Sequence, residues 1–314
     1  MIVQAILQVT YNVLLPIFFT AGLGYWFAKR FHPDITVFTK LSIYILMPCL
    51  VFSTITSSEV EVGEMGRLTA LVILQTGLLI GVGYLLSRWF QGLGRPTRTA
   101  ILLAIVLGNS GNYGIPLIEF AFGPAGGQRG VLIAVLGTIV INTVGVYIAS
   151  SGKKASVRAA IRAVLSIPLP YAVILALLIR FLQIELPLPV TRTVSMLAQA
   201  TVPLLLMLLG AQLSNVSLRS LGRERFKAMA AVTGVRLLVG PLMVVALAPF
   251  LGIEGITRSI AIVQLGMPTA VNSALLSAEF GADSEFASTV ILISTLASIV
   301  TLSFMLPLVV PGGG

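Results

Sequence analysis

Long apolar runs alternate with short polar punctuation along the chain, and the runs share one length. Ten of them come close to the roughly 20 residues a helix needs to cross a hydrocarbon core, at about 4–27, 35–57, 67–90, 98–122, 127–150, 165–182, 190–213, 226–250, 256–280 and 286–310. Turn formers separate them: His32-Pro33-Asp34, Gly92-Leu-Gly-Arg-Pro96, Gly123-Pro-Ala-Gly-Gly127, Pro187-Leu-Pro189 and Gly281-Ala-Asp283. No connection is long enough for a separate soluble domain. The longest basic one, Ser151 to Arg162, divides the chain into halves 1–157 and 158–314. The pattern predicts an all-α membrane protein of ten transmembrane helices.

Composition sharpens this. Hydrophobic residues make up 57% and charged residues 10%, with a mean hydropathy of +1.01. Soluble chains carry about a quarter charged residues, so a water-soluble fold is excluded. The net charge of +9 does not form a nucleic-acid face, because the basic residues sit in clusters between apolar runs. Loops 1, 3, 5 and 7 hold Lys29, Arg30 and Lys40; Arg88, Arg95 and Arg98; Lys153, Lys154, Arg158 and Arg162; Arg219, Arg223, Arg225 and Lys227. The other face holds only Arg67, Arg129, Arg180, Arg192 and Arg258. Positive-inside bias then puts the odd loops in the cytoplasm and both termini outside a cell membrane. The first 14 residues lack the basic start of a cleavable signal. Cys49 is the single cysteine and His32 the single histidine, while Asp34 and Asp283 lie in turns. Neither zinc nor triad chemistry has its residues here, so no enzyme, metal or cofactor is expected.

The chain also matches itself at a shift of 160. Glu64 falls on Glu224, Arg67 on Lys227, Arg98 on Arg258, Asn112 on Asn272, and Glu119-Phe120 on Glu279-Phe280. Most of these matches are polar, which chance similarity among Leu/Val/Ala-rich helices does not give. Each half holds five helices, an odd number, so the halves are expected to insert with opposite topology, as a 5+5 inverted repeat.

Two spans cannot run as plain helix. The fourth contains Gly108-Asn-Ser-Gly-Asn-Tyr-Gly-Ile-Pro116, and the ninth contains Gln264-Leu-Gly-Met-Pro-Thr-Ala-Val-Asn272. Pro116 and Pro268 each remove an N–H and crowd the carbonyl four residues back. Irregular backbone at the midplane persists only when buried in protein or lining a wet cavity. Two crossing broken helices would aim half-helix N-termini, with free N–H groups, at one anionic guest. Asn109, Ser110, Asn112, Gln264, Thr269 and Asn272 are the polar residues available there. Proline kinks satisfied by neighbouring helices are the alternative.

Arg236 lies ten residues past Phe226, near mid-membrane at about 1.5 Å per residue. It is expected to hold either a substrate carboxylate or a buried glutamate. Glu119 and Glu279 are candidates for ion coupling or plain solvated helix ends, Gln75 and Thr76 are candidate polar lining, and Gly77-Leu-Leu-Ile-Gly81 reads as a close-packing face.

The Asn-Ser-Gly-Asn-Tyr-Gly-Ile-Pro stretch, Val-Arg-Leu-Leu-Val-Gly-Pro, and Gly-Met-Pro-Thr-Ala-Val-Asn-Ser-Ala followed by Glu279-Phe-Gly-Ala resemble the auxin efflux carrier family over essentially the whole chain. The resemblance implies a fold similar to bile acid sodium symporters and an elevator mechanism. Helices 1, 2, 6 and 7 would form a scaffold, with a homodimer through it. Helices 3–5 and 8–10 would form a transport domain crossing at Pro116 and Pro268. The implied substrate is a small organic anion, auxin-like or a carboxylate such as malate or malonate. A sodium-coupled symporter and an anion channel are the rival readings; the coupling ion, proton or sodium, stays open.

Overall fold

The structure, a computed structural model, describes residues 2–57, 60–150, 162, 164–214, 216 and 222–310. Among them there is no β-strand, and the apolar runs are helical. In chain order the helices are α1 (Ile6–Phe31), α2 (Ile35–Thr56), α3 (Val62–Trp89), α4 (Gly94–Val106), α5 (Ser110–Ser150), α6 (Leu169–Phe181), α7 (Leu188–Leu213), α8 (Arg223–Leu251), α9 (Gly255–Leu265), α10 (Asn272–Phe280) and α11 (Ser284–Val309). Seven of these (α1, α2, α3, α5, α7, α8 and α11) are long and apolar enough to cross a membrane, and α6 and α9 are shorter apolar helices. Their outward faces carry large exposed apolar side chains such as Phe19, Leu85, Leu182 and Leu308. Water does not tolerate so continuous an apolar surface, and lipid does. Of the basic link, Lys153, Lys154 and Arg158 lie outside the described residues, as do Arg219 and the terminal Pro311-Gly-Gly-Gly.

At 41 residues α5 is about 60 Å of helix, twice the thickness of a hydrocarbon core. It is interrupted at Gly123, whose φ of 69° and ψ of −167° belong to neither helix nor strand. Pro124 follows and restarts the helix, since a missing N–H costs nothing in a first turn. The turn expected over residues 123–127 is therefore a one-residue break.

Five π-helical turns widen the helices, at Thr10–Leu14, Ser42–Leu46, Ser110–Gly114, Ile141–Gly145 and Val235–Val239. Four of them end two residues before a proline: Pro16, Pro48, Pro116 and Pro241. A proline ring collides with the carbonyl four residues back in a regular α-helix. Here that carbonyl lies inside the wider turn, which takes up the collision without ending the helix.

The closest helix pair is α1 against α7. A Cβ added to Gly210 would sit 1.7 Å from the Ala21 carbonyl oxygen, and one on Gly24 would sit 2.0 Å from that of Met207. Only glycine permits such backbone contact. The expected Gly77/Gly81 packing face is not used among the described residues: none of them lies within 4 Å of a Cβ at either position. The neighbouring Ile73, Leu74 and Leu78 are exposed, so this side of α3 points away from the bundle.

Two polar clasps tie helix starts together. In one, Arg129 of α5 donates from Nε to Glu64 Oε1 of α3 at 2.7 Å and to Thr257 Oγ1 of α9 at 2.8 Å, while Thr257 donates to Glu64. In the other, Arg225 of α8 pairs with Asp283 at 3.0 Å, and Thr97 of α4 donates to Asp283 at 2.7 Å. Thr97 and Thr257 stand 160 positions apart, the shift at which the halves match.

Candidate functional site

The site is built where two helices stop. Helix α4 ends at Val106 and α5 begins at Ser110, while α9 ends at Leu265 and α10 begins at Asn272. Leu107, with φ −93° and ψ 101°, leaves the helical region, and Pro268 denies its neighbours a helical donor. The two exposed strips of backbone satisfy each other. Gly108 lies opposite Thr269 in an antiparallel bridge; Asn109 N–H donates to the Pro268 carbonyl and Ala270 N–H to the Leu107 carbonyl, both at 2.8 Å. Thr269, fully buried, pins the crossing further. Its Oγ1 donates to the Ala104 carbonyl at 2.9 Å, and its N–H donates to Ser294 Oγ of α11 at 3.2 Å.

The break in the first strip lies at residues 107–109, ahead of Pro116. Pro116 instead occupies the first regular turn of α5 after the π turn Ser110–Gly114, where its missing N–H is not needed. The two broken segments thus meet as expected, but the crossing is made by Gly108 and Thr269 rather than by two prolines.

On the side of the half-helix starts lies a cavity of about 170 Å³. Gly108, Asn109, Ser110, Gly111, Asn112, Ala270, Val271 and Asn272 form one wall. Thr39, Ser42, Ile43 and Met47 of α2, Leu169 of α6, and Leu208 and Gln212 of α7 form the facing wall. Thr138, Ile141 and Asn142 of α5 also line it. None of the described residues that line it is charged. At these helix starts the Ser110 N–H donates to the Gly108 carbonyl, and the N–H groups of Ser273, Ala274 and Leu275 donate to the Ala270 and Val271 carbonyls; both helix starts present partial positive charge to this space. Asn112 Nδ2 reaches Gln212 Oε1 across the cavity at 3.4 Å. Asn109 is 5% exposed, and among the described residues its Nδ2 finds no acceptor. That nitrogen is itself shut off from the cavity space, so Asn109 donates to a guest only once its side chain turns.

The opposite side of the crossing, where α4 and α9 end, holds Arg236. It is 2% exposed and donates only to backbone carbonyls: Nε to Met267 at 3.1 Å, Nη1 to Ile105 at 3.2 Å, and Nη2 to Met267 at 2.6 Å and Leu265 at 3.3 Å. Among the described residues no carboxylate pairs with it. Gln75 stands beside it and donates to the Gly240 and Leu265 carbonyls at 3.0 and 3.3 Å. Arg236 thus lies outside the 170 Å³ cavity, and among the described residues no glutamate meets it. Gln264 is likewise a brace, its Nε2 donating to the Ser110 and Gly130 carbonyls at 2.9 and 2.7 Å. Gln75, Thr76, Arg236 and Gln264 share a smaller cavity of about 40 Å³.

Of the residues singled out from sequence, Asn109, Ser110, Asn112 and Asn272 come together on the cavity, with Thr269 buried behind them. Glu119 and Glu279 do not; both are exposed on the outer ends of their half-helices. Sequence reasoning missed Thr39, Ser42, Thr138, Asn142 and Gln212. Their one signal is polarity inside apolar runs, which many spanning helices share.

An all-helical chain with several membrane-length helices, discontinuous ones among them, and a polar cavity at the interruption defines a multi-pass membrane transport protein. The chain belongs to the membrane transport protein family, the auxin efflux carrier family its motifs resemble; the family profile matches residues 9–306. It is 27% identical to an uncharacterized transporter of Methanothermobacter thermautotrophicus, over 86% of this chain and 87% of that one. It is 25% identical to an uncharacterized transporter of Methanocaldococcus jannaschii, over 93% and 96%. It is 26% identical to a Rhizobium meliloti protein named "Putative malonate transporter", over 96% of each chain.

Proposed function

We propose that this protein is a secondary carrier for a small organic anion, a short mono- or dicarboxylate, bound in the cavity beside the crossing. One observation carries the reading: two helix starts and the neutral side chains of Asn109, Asn112 and Asn272 form one wall of the cavity, and no described residue that lines it is acidic. An anion seated there takes hydrogen bonds from Asn112, Asn272 and, once its amide turns, Asn109, and lies at the positive ends of α5 and α10. The cavity, about 170 Å³, is smaller than the ~300–1,000 Å³ of sites for drug-sized ligands, and this favours a short acid. The name of the Rhizobium relative, at 26% identity, makes malonate the first candidate to test.

An elevator mechanism on ten spans fits the same geometry. The cavity walls come from two groups: α2, α6 and α7 on the scaffold side, and α5, α10 and the strips that lead into them on the moving side. A guest held between them changes access when one group slides against the other. The clasps support the alternation of loops, because 97, 225 and 283 belong to odd loops and 64, 129 and 257 to even ones. Taking Gly123 as a turn, α5 supplies the second part of span four and all of span five, giving five spans per half. Cytoplasmic odd loops, outward termini and a scaffold homodimer complete the proposal.

Purified protein in proteoliposomes should take up labelled malonate saturably, with stimulation by unlabelled malonate inside. Asn109→Ala, Asn112→Ala and Asn272→Ala should each lower affinity by about tenfold or more, the loss of one hydrogen bond to a charged acceptor. Wild-type affinity in all three would remove the site assignment, and unitary currents would make the protein a channel.

A further inference from the structure

The arginine in the crossing has a consequence for energy coupling. In transporters with discontinuous helices, half-helix starts face anionic substrates, while unwound carbonyls and half-helix ends coordinate the driving cation. Here the carbonyls of Ile105, Leu265 and Met267 converge from the ends of α4 and α9, and the Arg236 guanidinium already occupies their focus with four hydrogen bonds. Each half-helix end carries about half a negative charge, so two ends balance one guanidinium without any carboxylate. The fit on the Gly108 side is close: a Cβ there would lie 2.0 Å from Nη2, so the guanidinium lies hard against the crossing strip. We propose that Arg236 is a resident substitute for a coupling cation, so that carboxylate transport needs no sodium, and that removing its side chain uncovers a cation site.

The guanidinium comes in on the chain rather than from solution, so its occupancy is independent of any ion gradient. The π turn Val235–Val239 that carries it widens α8 at this depth and sets the side chain across both helix ends. Arg236 acts through the backbone it holds rather than on the substrate, and it is a positioning residue. In the Arg236→Ala variant the Ile105 and Met267 carbonyls lose their side-chain donor and Leu265 keeps only Gln75, and a small cation supplied from solution can replace the missing charge.

The inference rests on the carrier reading for its transport arm but not for its binding arm. In proteoliposomes, wild-type malonate uptake should be equal in sodium and in choline media. Arg236→Ala should lose about two orders of magnitude of uptake, the scale of unmaking a buried charged network, and 10 mM guanidinium or sodium should restore at least about a tenth of it. In detergent, guanidinium should raise the melting temperature of Arg236→Ala and leave the wild type unmoved. Arg236→Lys, which keeps a charge there, should respond to neither. Sodium-dependent wild-type uptake would overturn the proposal, and so would an Arg236→Ala protein whose melting no cation shifts. If the wild type moves no carboxylate while the variant still binds guanidinium, the carrier reading fails and the cation site stands.

Discussion

Gly108→Ala tests the packing of the crossing most directly. The added methyl would lie 2.0 Å from Arg236 Nη2, 2.8 Å from Cζ and 3.3 Å from Nη1. Ordinary contact begins near 3.5 Å, so the guanidinium must retreat by about 1.5 Å. Nη2 makes the 2.6 Å bond to Met267 and the 3.3 Å bond to Leu265, and a retreat of that size breaks at least one of them. Overpacking costs about 1–3 kcal/mol. A lost hydrogen bond from a charged donor costs about 1.5–3 kcal/mol. Together these give about 2.5–6 kcal/mol. Gly111, three residues on, has nothing within 4 Å of its Cβ, and Gly111→Ala should stay within about 0.5 kcal/mol of wild type. Cys49, the one cysteine, is half-buried, so a dye that fluoresces on reacting with thiols reports unfolding in detergent. The melting order should be Gly108→Ala far below Gly111→Ala and wild type. Adding Arg236→Lys, whose stem lacks the planar fork, should recover at least about 1 kcal/mol relative to the sum of the single losses. A Gly108→Ala protein that melts with the wild type, or strictly additive singles, would refute the contact.

The remaining predictions concern other contacts. Gly210→Ala should destabilise the protein by about 1–3 kcal/mol by forcing α7 off the Ala21 carbonyl, whereas Gly77→Ala should leave the melting temperature of the detergent-solubilised monomer unchanged; equal effects would refute the α1–α7 contact. Asp283 is partly desolvated, which raises its pKa, but the Phe286 N–H, Thr97 and Arg225 outweigh this and hold it below the ordinary 3.8. Its clasp therefore contributes stability above pH 3.8 that is lost as pH falls through the lowered folded value. Asp283→Asn should melt below wild type at pH 7, with the difference shrinking in acid; a pH-independent difference would refute the assignment.

The apolar runs, their turn residues and the two interrupted stretches were legible because helix length and proline chemistry leave marks on single residues. The placement of the break was less so. Pro116 is conspicuous in sequence, yet a π turn absorbs it, and the helix opens earlier, at Leu107, where nothing but the partner strip at Pro268 explains it. The partners of Arg236 could not be read at all. They are carbonyl oxygens, which every residue has, so no side chain announces them. The cavity wall from α2 and α7 was missed for a related reason. Thr39, Ser42 and Gln212 become a wall only because α7 packs against α2, where Thr201 donates to the Leu46 carbonyl at 3.2 Å, and that proximity links residues far apart in the chain.

The electrostatics of the crossing tie these features to one function. Interrupting two helices and pairing the exposed strips creates four helix ends, and the pairing satisfies only the backbone of the strips themselves. Two ends sum to about one negative charge and two to about one positive charge. The chain answers the negative pair with Arg236. It answers the positive pair with neutral amides and hydroxyls, and no described lining residue is acidic. A carboxylate built into that wall would complete the symmetry and close the site to anions. In the proposed carrier, neutral Asn109, Asn112 and Asn272 in its place leave the positive potential to be met by a soluble guest, and a guest that must also leave again on the other side is better held by hydrogen bonds and partial charges than by a fixed ion pair.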